Sequence, residues 1–255
     1  MSSTSTTTRR GVLAVIAVSV VLIAAALIFR QLQASDSPAI AETPAEQIVR
    51  PTQTLLIPGY GGGKTQLQNL KGQLSAAGIS SEIVDVDDGQ GDLNDYAAKT
   101  NATAADWRAQ GYDVNVVGYS NGGVIARIAA SEQPDNFAKV VTMASPHNGT
   151  VWADLGNAIG QCPQACQQVR PDSELLADLP DIADENWLSI YSTSDEVINP
   201  AESSVIPGAT VQVIQDLCQD KDLRHGDVPT DPQTRALVIA FLQGNALPAS
   251  CVAGA

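Results

Sequence analysis

The chain has 255 residues, with 28 acidic side chains against 14 basic ones and a formal net charge of −14 at pH 7. This length has room for one α/β domain with a sizeable core, together with accessory segments. So acidic a protein repels the phosphate backbone, and we therefore exclude nucleic acid as a partner.

An apolar segment without any charge occupies residues 11–29, between Arg10 and Arg30. It is longer than the roughly 7–15 residues of a secretory signal core and close to the roughly 20 residues that span a bilayer. We therefore expect residues 1–30 to be a retained N-terminal membrane anchor that places the body outside the cytoplasm. A cleaved signal peptide, followed by secretion, is the alternative.

Strands and helices alternate along the rest of the chain. Residues 31–51 are rich in Ala, Ser, Pro and acidic side chains and suit a flexible linker, so the folded domain is expected over residues 52–255. We predict strands at 52–57, 81–86, 114–117, 138–143, 187–192 and 210–215, and helices at 64–77, 93–110, 121–130 and 232–242. This alternation predicts an α/β fold with a mainly parallel sheet and helices on both faces.

The sequence GYSNG at residues 118–122 lies between the third predicted strand and the third predicted helix. A G-x-S-x-G pattern is typical of a nucleophile elbow, in which glycines let strand and helix approach closely around an exposed serine. The pattern alone also fits an ordinary turn, but strand, serine and helix come in the order that an elbow requires. We predict that Ser120 is a nucleophile and that the backbone N–H of Asn121 binds an oxyanion.

A second glycine-rich loop, PGYGGG at residues 58–63, follows the first predicted strand. It runs into Lys64 and Thr65 like the end of a P-loop, but that motif needs glycine where this chain has Pro58. An NTPase is therefore the least favoured alternative. In an oxyanion loop, the same turn would direct the backbone N–H of Tyr60 at a substrate carbonyl. A tight turn without a ligand is the remaining alternative.

A serine nucleophile needs a base, and the base needs an acid that orients it. Of the two histidines, His225 follows the last predicted strand, as the order Ser, acid, His requires, and His147 is assigned a structural role. Asp195 follows the fifth predicted strand, where its carboxylate can reach both the elbow and the histidine loop. Glu196 is expected to point elsewhere. We predict a triad of Ser120, Asp195 and His225.

The four cysteines are Cys162, Cys166, Cys218 and Cys251, and an exported body favours their oxidation to disulfides. Three pairings are possible. We favour Cys162–Cys166, which closes a small loop around Pro163, and Cys218–Cys251, which would hold the C-terminal segment against the body. A zinc site is the alternative, but nearby histidines and paired C-x-x-C spacing are missing, so we expect no metal.

Several segments together resemble one family: PGYGGG (58–63), GDL (91–93), VVGYSNGG (116–123), ASPHNGT (144–150), CPQAC (162–166), STSDEVINP (192–200) and the late His225. They are similar to the secreted α/β-fold lipases and esterases of actinobacteria, often called class 2 or triacylglycerol lipases. The resemblance implies an α/β-hydrolase fold with minimal or no lid, a triad at Ser120, Asp195 and His225, disulfides, and ester hydrolysis without a cofactor. One departure is Pro58, where many lipases carry a histidine.

We therefore expect a lipase or carboxylesterase, a serine hydrolase that cleaves lipid or other acyl esters through an acyl-enzyme and acts as a monomer. A non-catalytic envelope protein that uses the same scaffold for binding is one alternative, although binding alone needs no such trio of side chains. Within the enzyme class, an amidase or thioesterase stays open.

Overall fold

The computed structural model describes residues 27–31 and 50–253. By its internal contacts the chain divides into two units, Met1–Ile48 and Val49–Ala255. The described residues of the first unit are helical. The predicted anchor at residues 1–30 and the predicted linker at residues 31–51 lie almost wholly outside the described residues. Among the residues that are described, no helix is long and apolar enough to cross a membrane.

The second unit is built on a six-stranded parallel sheet. Its strands are β1 (Thr52–Ile57), β2 (Ser81–Ile83), β3 (Asp113–Tyr119), β4 (Lys139–Met143), β5 (Trp187–Tyr191) and β6 (Thr210–Val213). The spatial order is β2-β1-β3-β4-β5-β6, so the chain reverses its direction of travel across the sheet between β1 and β3. Open α/β sheets bind ligands at such a switch point, beyond the carboxyl ends of the strands.

The helices of this unit are α1 (Thr65–Ala76), α2 (Leu93–Ala109), α3 (Asn121–Glu132), α4 (Val151–Ala158), α5 (Gln164–Gln168), α6 (Glu174–Asp178), α7 (Ile214–Leu217) and α8 (Pro232–Gln243). Helices α1 and α8 pack on one face of the sheet, and α2 and α3 pack on the other. Helices α4 to α6 lie in the β4–β5 connection, residues 144–186, and were not predicted.

Two apolar layers, one on each face of the sheet, form the core. Successive side chains of a strand point to opposite faces. In β1, Leu55 and Ile57 therefore pack with the α2 and α3 side, whereas Leu56 packs with the α1 and α8 side. Because both faces are covered, the central strands are almost continuously apolar. The predicted α/β-hydrolase fold, with a parallel sheet between helical layers, is confirmed.

All six predicted strands are present, but β2 and β6 are shorter than predicted by more than one residue. β2 ends at Ile83, whose partner Leu56 is the last residue of β1 in that ladder. β6 ends at Val213 because helix α7 begins at the next residue. Both are edge strands, where only one neighbour constrains the extended backbone.

Two disulfides, Cys162–Cys166 and Cys218–Cys251, join all four cysteines in the favoured pairing. The first links the residues just before α5 to α5 itself. The second links the residue after α7 to the C-terminal segment. The β4–β5 connection and the C-terminal segment are thus both covalently constrained.

Candidate active site

Ser120 lies at the turn between β3 and α3, with φ 55° and ψ −128°. A positive φ is uncommon for a residue with a side chain and persists only where the surrounding structure enforces it. A glycine is needed two residues later, because a Cβ on Gly122 would lie 2.1 Å from the carbonyl oxygen of Ile57 in β1. The elbow is therefore packed directly against the end of the neighbouring strand.

The structure brings Ser120, Asp195 and His225 together from three separate loops. His225 Nε2 lies 3.1 Å from Ser120 Oγ, and His225 Nδ1 lies 2.8 Å from Asp195 Oδ2. With the proton on Nδ1 donated to the carboxylate, Nε2 is free to accept the serine proton. These distances suit proton transfer from the hydroxyl to the imidazole.

Backbone amides fix the orientation of Asp195. Its Oδ1 accepts hydrogen bonds from the N–H groups of Val197 and Ile198, each at 2.8 Å. Its other oxygen is thereby left facing His225. The side chain is buried, so little water competes for these contacts.

Both backbone polar groups of His225 are bound by side chains. Glu196 Oε2 accepts from the His225 N–H at 3.1 Å, and Tyr119 donates its hydroxyl to the His225 carbonyl oxygen at 3.0 Å. The Tyr119 ring also lies 5.1 Å from the imidazole, centroid to centroid. The histidine is therefore held from two different elements, β3 and the loop after β5.

The position of Glu196 corrects the expectation that this side chain points elsewhere. Arg224 Nε lies 3.0 Å from Glu196 Oε2. Burial acts to raise the pKa of Glu196, but the hydrogen bond from the His225 amide and the pairing with Arg224 outweigh it and lower that pKa. The sequence did contain a signal for this role of Glu196. In the adjacent pairs Asp195-Glu196 and Arg224-His225, complementary charges stand next to the predicted acid and base.

Tyr119 is the first of the two variable residues of the elbow motif, and sequence reasoning gave it no role. Burial, assisted by the charges of Asp195 and Glu196, raises the pKa of Tyr119 well above its ordinary value. The phenol is therefore neutral at physiological pH and remains a hydrogen-bond donor to the His225 carbonyl.

The two predicted oxyanion donors belong to the helix that follows Ser120 and to the glycine-rich loop close to it. Asn121 is the first residue of α3, so its N–H has no acceptor within the helix and lies at the positive end of the helix dipole. The loop that carries Tyr60 passes directly over the serine, because a Cβ on Gly59 would lie 3.2 Å from Ser120 Oγ. Tyr60 and Asn121 line the same groove as Ser120.

His147 lies away from this hydrogen-bonded chain. It is buried, and neither ring nitrogen has a hydrogen-bond partner among the described residues. Burial, together with the positive charge of Arg127, lowers the pKa of His147 to about 3. Arg127 Nη1 donates to the His147 carbonyl oxygen at 3.1 Å. This placement agrees with a structural role.

Two grooves of about 240 Å³ each open beside Ser120. The first is mostly apolar and runs between the loop after β5 and the β4–β5 connection, with Trp152, Ala153, Val169 and Ile198 among its lining residues. The second runs past the glycine-rich loop to His225. The serine therefore stands at the junction of an apolar groove and a groove that contains the histidine.

Three solved structures share the fold at low sequence identity. The mature lipase BlEst2 of Bacillus licheniformis is 17% identical, with 69% of this chain and 85% of that chain covered and a TM-score of 0.53. Est1E of Butyrivibrio proteoclasticus is 15% identical, with 79% and 89% covered and a TM-score of 0.56. The monoacylglycerol lipase of Paleococcus ferrophilus is 14% identical, with 76% and 95% covered and a TM-score of 0.55.

Residues 110–245 match a protein family, and the match contains Ser120, Asp195 and His225. It begins just before β3 and ends just after α8. The α/β-hydrolase part of the resemblance noted in the sequence is thereby confirmed. Because the match spans more than half of the chain, the protein belongs to the family described as alpha/beta hydrolase of unknown function (DUF915).

Proposed function

We propose that this protein is a serine hydrolase that cleaves carboxylic esters through an acyl-enzyme on Ser120. The observation that carries the proposal is the continuous chain from Ser120 Oγ to His225 and on to Asp195, with distances of 3.1 and 2.8 Å. A nucleophile, a base and an orienting acid within hydrogen-bond reach are the arrangement that such chemistry requires.

In the first half of the reaction, Ser120 Oγ attacks the ester carbonyl while His225 Nε2 takes the serine proton. Asp195 stabilises the resulting imidazolium. The N–H groups of Asn121 and Tyr60 bind the negative charge that develops on the carbonyl oxygen. His225 then gives its proton to the leaving alcohol, and the acyl group stays on the serine.

In the second half, water takes the place of the alcohol. His225 removes a proton from this water, whose oxygen attacks the acyl carbon. His225 then returns the proton to Ser120 Oγ as the bond to the serine breaks and the carboxylic acid leaves. Since His225 must reach the leaving oxygen, the alcohol side of the substrate belongs in the groove that contains His225. The acyl chain belongs in the apolar groove.

The apolar lining of the acyl groove favours lipid or other acyl esters, and hence a lipase or carboxylesterase. The solved lipases and esterases of the same fold support this choice. An NTPase finds less support, because Lys64 of the P-loop-like segment pairs with Asp85 at 2.8 Å. The intact hydrogen-bonded trio weighs against a purely binding role.

Two disulfides are typical of proteins from oxidising compartments, and they support a location outside the cytoplasm. We include in the proposal the apolar segment at residues 11–29, either as a retained anchor or as a cleaved signal. A monomeric state is also part of the proposal.

Hydrolysis of p-nitrophenyl esters, from acetate to palmitate, tests this function. We expect turnover by the wild-type protein, and a loss of about 10³-fold or more in kcat in Ser120→Ala. Ser131→Ala is the matched control, because its hydroxyl bonds the Ile128 carbonyl within α3 and has no role in the reaction. If the wild type hydrolyses none of the esters, or if Ser120→Ala keeps full activity, the proposal is wrong.

A further inference from the structure

In the second unit, the large apolar side chains that are exposed in its described part gather in one place. They are Tyr60, Val151, Trp152, Leu155, Ile159 and Val197. Val151, Leu155 and Ile159 are spaced four residues apart along α4 and just beyond it, so they share one side of the helix. Tyr60, Trp152 and Val197 line the apolar groove beside Ser120. The exposed side of α4 thus continues into the mouth of the groove.

Single exposed apolar side chains are ordinary, whereas a contiguous exposed set beside a groove marks a surface for an apolar partner. Ile159 is 62% exposed, and Trp152 and Leu155 are each 51% exposed. We call Val151, Trp152, Leu155 and Ile159 the α4 face.

Hydrogen bonds hold the α4 face in this exposed position. The Val151 N–H donates to the Asn199 carbonyl at 2.9 Å, and Trp152 Nε1 donates to the Glu196 carbonyl at 2.6 Å. The loop after β5, residues 192–200, carries Asp195 and Glu196 and therefore also fixes the start of α4. The face does not turn inward to hide its side chains, because its first turn is tied to that loop.

We propose that the α4 face docks on the surface of a neutral or zwitterionic lipid aggregate, from which the ester substrate enters the apolar groove. This inference rests on the proposed function and specifies its substrate as an ester presented at a lipid surface. An acyl chain that leaves such a surface reaches Ser120 along a continuous apolar path.

The negative charge of the protein favours a neutral or zwitterionic lipid surface over an anionic membrane or a second copy of the chain. The formal net charge of −14 opposes both an anionic membrane and the approach of a second copy of the chain. The only charged residue of α4 is Asp154, which pairs with Arg170 at 2.7 Å. No unpaired charge therefore interrupts the face. Tryptophan, with an apolar ring and one polar N–H, suits the boundary between lipid and water.

Tryptophan quenching by vesicles of phosphatidylcholine with brominated acyl chains tests the docking directly, in the full chain. The three tryptophans are Trp107, Trp152 and Trp187, so the apolar segment at residues 11–29 contributes no signal. We expect brominated vesicles to quench the wild type and to have little effect on Trp152→Phe. Wild-type fluorescence that brominated vesicles leave unchanged, or equal quenching in Trp152→Phe, would overturn the proposal.

A paired kinetic experiment uses Leu155→Asp/Ile159→Asp, since neither side chain lines the groove. We expect its hydrolysis of soluble p-nitrophenyl acetate to stay within about twofold of the wild type. Hydrolysis of an ester embedded in phosphatidylcholine vesicles should fall about tenfold or more. The control Gln73→Asp/Ala76→Asp adds the same two charges to the exposed side of α1 and should change neither rate.

Three results would contradict the lipid docking. Equal losses on the soluble and the embedded ester would indicate structural damage instead. An unchanged rate of hydrolysis of the embedded ester by Leu155→Asp/Ile159→Asp would show that the α4 face does not dock on the lipid surface. Light scattering that finds a wild-type dimer and a monomeric Leu155→Asp/Ile159→Asp would assign the face to self-association. If no ester is hydrolysed at all, the proposed function fails, while the quenching experiment still decides the docking.

Discussion

Two regions meet at Ser120 and differ in how their residues are held. At the carboxyl edge of the sheet, the side chains of Ser120, Asp195 and His225 are buried and joined by specific hydrogen bonds. In the β4–β5 connection, helix α4 exposes apolar side chains to solvent. We infer from this difference that the first region fixes the geometry for the proposed chemistry and that the second determines which molecules reach Ser120.

This inference predicts that substitutions in the first region lower the rate of hydrolysis of every ester. Substitutions in the second region change the preference among esters and leave the chemical step intact. The predictions below follow in order of expected effect.

Asp195→Asn should have the largest effect, with kcat on a soluble ester lowered about 10⁴-fold. The amide oxygen can still accept from the Val197 and Ile198 N–H groups, but the amide nitrogen would face His225 and favour the wrong imidazole tautomer. Steady-state kinetics and thermal unfolding of the same sample measure this. If kcat falls less than tenfold in a folded Asp195→Asn protein, Asp195 does not orient His225 as a base.

Gly122→Ala tests how tightly the elbow packs against β1. The added Cβ would lie 2.1 Å from the Ile57 carbonyl oxygen, and relief requires backbone movement. We expect a loss of about 3 kcal/mol in the free energy of unfolding. Gly72→Ala in α1 is the matched control, because nothing lies within 4 Å of its Cβ position and alanine stabilises a helix by about 0.5–1 kcal/mol. Equal urea midpoints for the two variants would contradict the packing at the elbow.

His147, at the start of the β4–β5 connection, should make that connection sensitive to acid. Its pKa is about 3 in the folded protein, against an ordinary value of 6.5. Above pH 6.5 the His147 side chain is neutral in both the folded and the unfolded protein, so it does not make the stability depend on pH. Between pH 6.5 and 3 the unfolded chain binds a proton that the folded chain does not, so stability falls as the pH falls.

The loss attributable to His147 should reach about 2 kcal/mol at pH 5. Urea unfolding at pH 7 and pH 5, for the wild type and His147→Gln, isolates this contribution, because the carboxylates are common to both proteins. The variant should lose less stability than the wild type between the two pH values. Equal losses would contradict a neutral, buried His147.

Glu196→Ala should lower kcat about tenfold with little change in KM, because the His225 N–H loses its acceptor while the substrate grooves stay intact. Glu196→Gln keeps an oxygen acceptor and should restore part of the loss. Glu202→Ala removes an exposed carboxylate from the same β5–β6 connection and serves as the control. An alanine variant that changes KM alone would assign Glu196 to substrate binding.

Ala153→Leu should have the smallest effect and the most selective one. Ala153 lines the apolar groove, and the larger side chain would shorten the space for an acyl chain. We expect KM to rise several-fold for p-nitrophenyl decanoate and to stay within about twofold for the acetate. An equal drop in kcat for both esters would contradict the expectation that substitutions in the second region leave the chemical step intact.

The first region could be predicted because each member of the trio lies in the connection that follows the carboxyl end of a strand. In a parallel sheet the carboxyl ends of the strands share one edge, so Ser120, Asp195 and His225 were expected to meet there. The fold itself followed from the alternation of strands and helices. Short-range sequence patterns, together with the rule that the carboxyl ends of parallel strands share one edge of the sheet, were therefore sufficient to predict this region.

The second region could not be predicted in the same way. Helices α4, α5 and α6 are short, and Gly160 and Pro163 interrupt the segment between α4 and α5, so little helical periodicity develops. Their positions depend on tertiary contacts such as the bond from Trp152 to the Glu196 carbonyl. The role of Glu196 itself depends on His225, 29 residues further along the chain, and on the conformation of two loops.

The most direct test of the proposed chemistry is to label the protein with a fluorophosphonate and locate the adduct by peptide mass spectrometry. We predict a single adduct on Ser120, formed rapidly in the wild type, slowly in His225→Gln, and absent from Ser120→Ala. Labelling of another serine, or no labelling of the folded wild type, would contradict the assignment of Ser120 as an activated nucleophile.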